Sequence, residues 1–265
     1  MINEKNIIAK WNADIYDKNV TETDDVDFIL SVIGSTPKKV LEVCCGSGRI
    51  LVPLARAGHL VSGFDADAFM LDKISAKARG LKNIKWHKAD AVYDDWGSGF
   101  DVVVLAGDIL YNIVSDMKYK KAQELFIKKA AAALVTGGYI YIAYSPGGFT
   151  LNNPGESFDE SDKNEVEWSW EGADNDGNFG KASLMSGSYD AATGMSKFKR
   201  LFELTLSSGQ KISQEIDCEK HFATLEQIHS WLADAGFVIE LECEDLDRNP
   251  ITDDSTDVII YARKK

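Results

Sequence analysis

The run Lys39-Val40-Leu41-Glu42-Val43 opens directly into Cys44-Cys45-Gly46-Ser47-Gly48-Arg49, and residues 50–57 then take helical spacing. A short buried strand, a turn with two glycines and a helix form the start of a βαβ unit. Glycines at such a turn let the backbone approach a ligand closely. In open α/β sheets, ligands gather at this carboxyl end of the strands. The alternation continues downstream. Residues 60–65, 84–88, 101–105 and 139–144 read as strands, and residues 69–77 and 119–134 as helices. Thr136-Gly137-Gly138 reads as a stop for the second of these helices. Strands separated by helices predict a mostly parallel sheet with helices on both faces.

The pattern changes after the fifth strand. Four extended runs, at residues 166–170, 182–189, 197–206 and 211–217, are separated by turn signals such as Asp174-Asn175-Asp176-Gly177 and Ser207-Ser208-Gly209. Short strands joined by tight turns predict antiparallel pairing. Thr224, followed by Glu226 and Gln227, starts a last helix that Gly236 follows, and residues 237–241 and 258–262 read as two closing strands. Helices at residues 3–17 and 24–34 precede the first strand. The expected organisation is a helical cap (1–36), a ligand-binding core (37–150), an antiparallel insert (151–222) and the rest of the core (223–265).

Glycine spacing separates the possible ligands. A dinucleotide fingerprint needs G-x-G-x-x-G, the third glycine allowing close helix–strand contact. Here Gly46-x-Gly48 is followed at that place by Leu51, so a nicotinamide oxidoreductase is disfavoured. The segment instead resembles the first motif of class I S-adenosylmethionine-dependent methyltransferases, an acid followed by three alternate glycines. Glu42, Gly46 and Gly48 match, and Cys44 stands in the first glycine place. Further pieces follow in register: Gly63-Phe64-Asp65, Lys88-Ala89-Asp90, Phe100 to Asp108, Gly137-Gly138-Tyr139, and Leu232 to Phe237.

The resemblance implies a Rossmann-like, doubly wound, mostly parallel seven-stranded sheet with an antiparallel β insert, binding S-adenosylmethionine. It implies that Glu42, Cys44, Gly46 and Gly48 shape the pocket for the donor's amino-acid end. Asp65, with Ala66, would hold the ribose, where a carboxylate can accept from both hydroxyls. Asp90, with Ala91, would take the adenine, and Leu105 and Ala106 would border the methyl group. Tyr16, in Ala13-Asp14-Ile15-Tyr16-Asp17, resembles the N-terminal tyrosine segment that folds over the donor in small-molecule methyltransferases. The insert is similar to the acceptor lid of glycine and amino-sugar N-methyltransferases. Trp168, Trp170, Phe198 and Phe202 line it or form its own core, and Glu165, Glu167 and Glu171 are read mainly as a solvated face.

Asp108 and Tyr111 after the fourth strand, Tyr144 after the fifth and His221 at the end of the insert are the candidates on the acceptor side. A neutral amine needs only a nearby proton acceptor, whereas a hydroxyl generally needs a base or a metal. No metal ligand set is apparent. His229 shows no partner in the sequence, and His59 reads as a solvated turn residue. The expected activity is methyl transfer to a small molecule, at an amine nitrogen. O-methylation or a non-catalytic, regulatory S-adenosylmethionine-binding protein are the alternatives.

A formal net charge of -13 sets the chain against phosphate backbones. The Asn/Asp-Pro-Pro-aromatic motif of amino-methylating nucleic-acid enzymes is also absent, since Leu105-Ala106-Gly107-Asp108 stands at that place. Nucleic acid is therefore not an expected partner, and no apolar stretch predicts a membrane span. Without a basic region leading into an apolar run at the N-terminus, and with four cysteines in no zinc spacing, the expected location is the cytoplasm. Nothing in the sequence points away from a monomer, and the oligomeric state stays open.

Overall fold

The hydrophobic spacing along the chain resolves into six helices and eleven strands among the described residues of a computed structural model. Those residues are 3–145, 166–190 and 192–265, with the side chains of 166–168 and 186 outside the description. The boundary expected at 150/151 and Glu165 lie outside it, as do the Glu167 and Trp168 side chains. The chain divides into two compact units, which are taken in turn.

The larger unit holds α2 (Asp24–Ile33), β1 (Lys39–Val43), α3 (Leu51–Arg56), β2 (Leu60–Asp65), α4 (Ala68–Lys77), β3 (Ile84–Lys88) and β4 (Phe100–Leu105). It continues with α5 (Tyr119–Ala133), β5 (Leu134–Tyr144), α6 (Leu225–Asp234), β10 (Phe237–Cys243) and β11 (Val258–Lys264). Its seven strands lie in the order β10-β11-β5-β4-β1-β2-β3, and β11 alone runs antiparallel to its neighbours. The Rossmann-like sheet expected from the sequence is present.

Strand periodicity splits the apolar residues into two cores. Leu41, Val43, Val103, Leu105, Ile140 and Ile142 face one way, and Phe126, Ile127 and Ala130 of α5 cover them with Ile228 and Trp231 of α6. Val40, Val102, Val104 and Tyr141 face the other way, beneath Ile29 of α2, Leu51 and Leu54 of α3 and Ile74 of α4. Thr224 and Gln227 form the expected capping box at the start of α6.

One strand start differs from expectation. α5 ends at Ala133 and β5 starts at once, because Leu134 is buried and pairs with Phe100. Gly137, at φ 77°, and Gly138 serve the strand irregularity that follows rather than a helix stop. A Cβ on Gly138 would lie 3.1 Å from the Asp101 carbonyl oxygen.

The smaller unit joins α1 (Glu4–Asn19) to β6 (Val166–Ala173), β7 (Phe179–Asp190), β8 (Met195–Thr205) and β9 (Lys211–His221), whose last residue belongs to the larger unit. The cap expected over residues 1–36 is thus divided: α1 belongs with the insert strands and α2 with the large sheet. β6 to β9 form a four-stranded sheet in sequence order, with β6–β7 and β7–β8 antiparallel. Ile8, Trp11 and Ile15 from one side of α1 form a core with Ala182, Phe202, Leu204 and Ile212. Phe202 is therefore core. Trp11 is fully buried, and its Nε1–H donates to the Gly172 carbonyl at 3.0 Å.

Gly180 makes room for that indole, since a Cβ there would come within 2.6 Å of Trp11 Cε2 and 2.9 Å of Leu204 Cγ. Gly180→Val is expected to destabilise the fold by about 1–3 kcal/mol, the usual cost of overpacking, as read from the urea midpoint. An unchanged midpoint would contradict this packing.

Candidate functional site

The carboxyl ends of β1, β2, β3 and β4 converge on the turn after β1. Cys45 N–H donates to Phe64 O at 2.9 Å, which locks that turn onto the end of β2. Cys44 takes a left-handed conformation, φ 57°. That is why glycine suits this place: the backbone has the conformation a glycine adopts freely, and the cysteine holds it at some strain. Gly48, at φ 77°, lies against α4, where a Cβ would stand 3.0 Å from Ile74 Cγ1.

Asp65 joins two turns. Its Oδ2 accepts from Gly46 N–H at 2.9 Å and its Oδ1 from Asp67 N–H at 2.8 Å. Burial raises its pKa, and these backbone hydrogen bonds work the other way. Each carboxylate oxygen has more than one acceptor direction, so the group can serve the turns and still receive a hydroxyl. Ala66 is exposed beside it. Asp90 caps the turn after β3, accepting at Oδ1 from Val92 N–H at 2.8 Å and Tyr93 N–H at 3.2 Å. Ala91 is buried, and its carbonyl accepts from Trp96 Nε1 and Lys129 Nζ.

Glu42 shares the sheet face of Val40, under α2 and α3, and is 5% exposed. Burial pushes its carboxyl up to about 8, with the Arg49 guanidinium partly opposing. Its Oε2 is buried with no hydrogen-bond partner among the described residues. Arg49 is itself held by Asp25, two nitrogens to two oxygens at 2.6 Å each. The Cys44 thiol is pushed up by burial and then by Asp65, Glu42 and Asp90, so three carboxylates lie around one turn. The structure therefore brings together Glu42, Cys44, Gly46, Gly48, Asp65 and Asp90.

Leu105 ends β4 fully buried, and Ala106 is half-buried after it. Asp108 follows at φ 60°. Its Oδ1 accepts from Ser145 N–H at 2.6 Å, tying the end of β4 to the end of β5, and its Oδ2 accepts from the Tyr111 hydroxyl at 3.3 Å. The Tyr111 ring meets Tyr144 and Phe222 edge-on, at 6.0 and 5.4 Å between centroids. Tyr144 is buried and donates its hydroxyl to Ala223 O at 3.0 Å, so that hydroxyl holds the chain entering α6. His221 is 5% exposed, with Nδ1 2.7 Å from Gln123 Oε1, and burial lowers its pKa.

Asp108 also lines a cavity of about 330 Å³ with Tyr144, Ser145, Glu244, Asp245 and Asp257. The last three lie in loops after β10 and before β11, where no periodic pattern marks them. Tyr16 lies within the smaller unit, where its ring stands edge-on to Trp170 at 6.1 Å. Two histidines differ from expectation. His59 is fully buried and its Nδ1 accepts from Lys38 N–H at 3.3 Å. His229 Nε2 meets Glu242 Oε1 at 2.5 Å. No helix among the described residues is long and apolar enough to cross a membrane.

Residues 40–138 match a family model described as a methyltransferase domain. Over 122 residues the chain is 30% identical to the 23S rRNA (uracil(1939)-C(5))-methyltransferase RlmD of Aeromonas salmonicida, covering 40% of this chain and 28% of that protein. Over 108 residues it is 30% identical to the ubiquinone biosynthesis O-methyltransferase of a Chelativorans species, covering 40% of this chain and 39% of that one. The chain thus spans less than two fifths of either relative.

Whole-chain similarity appears among solved structures. The CcbJ methyltransferase of Streptomyces caelestis matches with a TM-score of 0.68 at 18% identity, over 97% of both chains. An S-adenosylmethionine-dependent methyltransferase of Clostridium acetobutylicum matches at 0.69 and 16%, over 99% of both. The sugar N-methyltransferase KedS8 of a Streptoalloteichus species matches at 0.65 and 18%, over 93% of this chain and 88% of that one. At these identities the likeness establishes a shared fold.

The Glu42 carboxyl yields a pH prediction. Its folded pKa, about 8, lies above the ordinary 4.5, so the folded protein keeps a proton that the unfolded chain gives up. Its effect is therefore to make stability fall as pH rises from about 4.5 to about 8, by at most about 1.4 kcal/mol per pH unit. In Glu42→Gln this fall should be absent, as measured by urea unfolding at pH 5, 6, 7 and 8. Parallel curves for the two proteins would contradict a neutral Glu42.

Proposed function

We propose that this chain, whose residues 40–138 match a methyltransferase-domain model, is a class I S-adenosylmethionine-dependent methyltransferase that transfers a methyl group to a small molecule at an amine nitrogen. The observation that carries the reading is the turn held by Asp65. Around it lie a buried Glu42 oxygen with no hydrogen-bond partner among the described residues and the carboxylates Asp65 and Asp90. Such a set fits a ligand with a cationic end and hydroxyls to donate. Bound there, S-adenosylmethionine supplies a methyl group made electrophilic by its sulfonium.

Glu42 would face the ammonium of the donor's amino-acid end, with Cys44, Gly46 and Gly48 leaving room for it. Asp65 and Ala66 would hold the ribose, and Asp90 and Ala91 the adenine. Leu105 and Ala106 would border the methyl. Positioning of this kind supplies much of the rate in a displacement.

The amine reading is supported by the acidic cavity. Asp108, Glu244, Asp245 and Asp257 line it, and among the described residues no lysine or arginine does. Such a lining favours a cation over a phosphate-bearing partner. The overall charge of -13 acts in the same direction, against nucleic acid. Similar structures include a sugar N-methyltransferase and an amino pentose methyltransferase bound to S-adenosylmethionine. Asp108 and Tyr111 would orient the amine, and His221 would take the proton it loses.

Methyl-labelled S-adenosylmethionine, offered with a panel of small amines and phenols, tests this directly. The expected result is label in an amine product, with turnover in Asp108→Ala about 100-fold lower. Label in phenols alone would move the reaction to oxygen, and full turnover in the variant would remove Asp108 from the chemistry.

A further inference from the structure

A buried amide–imidazole pair stands beside the loop after β4 in the larger unit. Gln123 on α5 is 1% exposed and His221 is 5% exposed. The Gln123 amide nitrogen donates to Leu110 O and to His221 O, each at 2.9 Å. Carbonyl oxygens only accept, so the end of the amide between them must be the NH₂ group. The Gln123 Oε1 therefore faces His221 Nδ1, at 2.7 Å. Since that oxygen also only accepts, Nδ1 carries the hydrogen. In a neutral imidazole the lone pair then belongs to Nε2. Among the described residues nothing hydrogen-bonds to Nε2.

The choice of an amide has a physical reason. A carboxylate at this place would favour the imidazolium and make the ring keep its proton. It would also leave the Leu110 and His221 carbonyls without a donor, and unsatisfied buried groups are costly. A neutral glutamine fixes the ring without charging it. The ring stays neutral because it is buried and because Lys120, one turn earlier on α5, adds a like charge. The loop after β4 contributes the other titratable groups of this corner, Asp108 and Tyr111. Leu110, anchored by Gln123, lies between those two residues. Phe222, next after His221, meets the Tyr111 ring at 5.4 Å.

We propose that Gln123 is a positioning residue that locks His221 as the Nδ1–H tautomer, so that Nε2 accepts the proton released when an amine is methylated. This rests on the amine-methylation reading above. The amine nitrogen forms its bond to the methyl carbon, and the electron pair of the broken carbon–sulfur bond stays on sulfur. The N–H proton passes to Nε2. Its later loss to water restores the neutral ring, so no oxidant, reductant or further reactant is needed.

Long-range ¹H–¹⁵N correlation spectra of the full chain test the tautomer without any assay of activity. The wild type at pH 7 is expected to show a protonated Nδ1 and a bare Nε2 at His221. An Nε2–H tautomer or an imidazolium there overturns the proposal, and since the wild type alone decides this, a poorly folded variant does not blunt the test. In Gln123→Glu, the His221 titration and the acidic limb of the kcat profile should both move to higher pH. A shift in neither overturns the positioning role. With an amine acceptor, His221→Ala should lower kcat about 100-fold while the affinity for S-adenosylhomocysteine is kept. If the tautomer is as stated but His221→Ala turns over like the wild type, the base role fails and the methyltransferase reading stands. If the wild type methylates no amine, it is that earlier reading that has failed.

Discussion

The Asp65 carboxylate holds the site together. One oxygen takes the Gly46 N–H of the turn after β1, and the other takes the Asp67 N–H of the turn after β2. Two loops at the carboxyl edge of the sheet are thereby fixed to each other by one side chain. The same turn is held from below by Cys45 N–H on Phe64 O and from the side by Lys77 Nζ on Ser47. With the turn rigid, the strand ends beside it present their polar groups to one region, and little ordering is left for a ligand to bring about.

Burial of charge is the second constraint. Strand periodicity forces Glu42 onto the same face as Val40, beneath α2 and α3, where water is scarce. An isolated carboxylate there is costly, and the carboxyl responds by keeping its proton. The bidentate Asp25–Arg49 pair offsets this only in part, because the guanidinium is already engaged. On the proposed reading, an ammonium beside it would add to the counter-charge that Arg49 supplies.

Much of this was legible in the sequence. The alternation of buried strands and helices predicted the parallel sheet, because burial on both faces gives short continuous apolar runs. Asp65 and Asp90 were singled out by the resemblance, which sets an acid at or just after the ends of the second and third strands. The insert strands were marked by turns such as Asp174 to Gly177, where Asp174 accepts from the backbone two and four residues on. What escaped depends on residues far apart in the chain. Gln123 and His221 are 98 residues apart, and neither position breaks a local pattern. The burial of His59 under the Lys38 N–H is likewise set by tertiary packing. The start of β5 was placed too late because Gly137 and Gly138, which usually signal a helix end, here permit a strand irregularity beside Asp101.

The most direct test of the account is calorimetric titration of the purified chain with S-adenosylhomocysteine, with NAD as the comparison. The account predicts saturable one-site binding of the first and none of the second. Binding of NAD alone, or of neither, would contradict the assignment of this glycine turn and its carboxylates to S-adenosylmethionine.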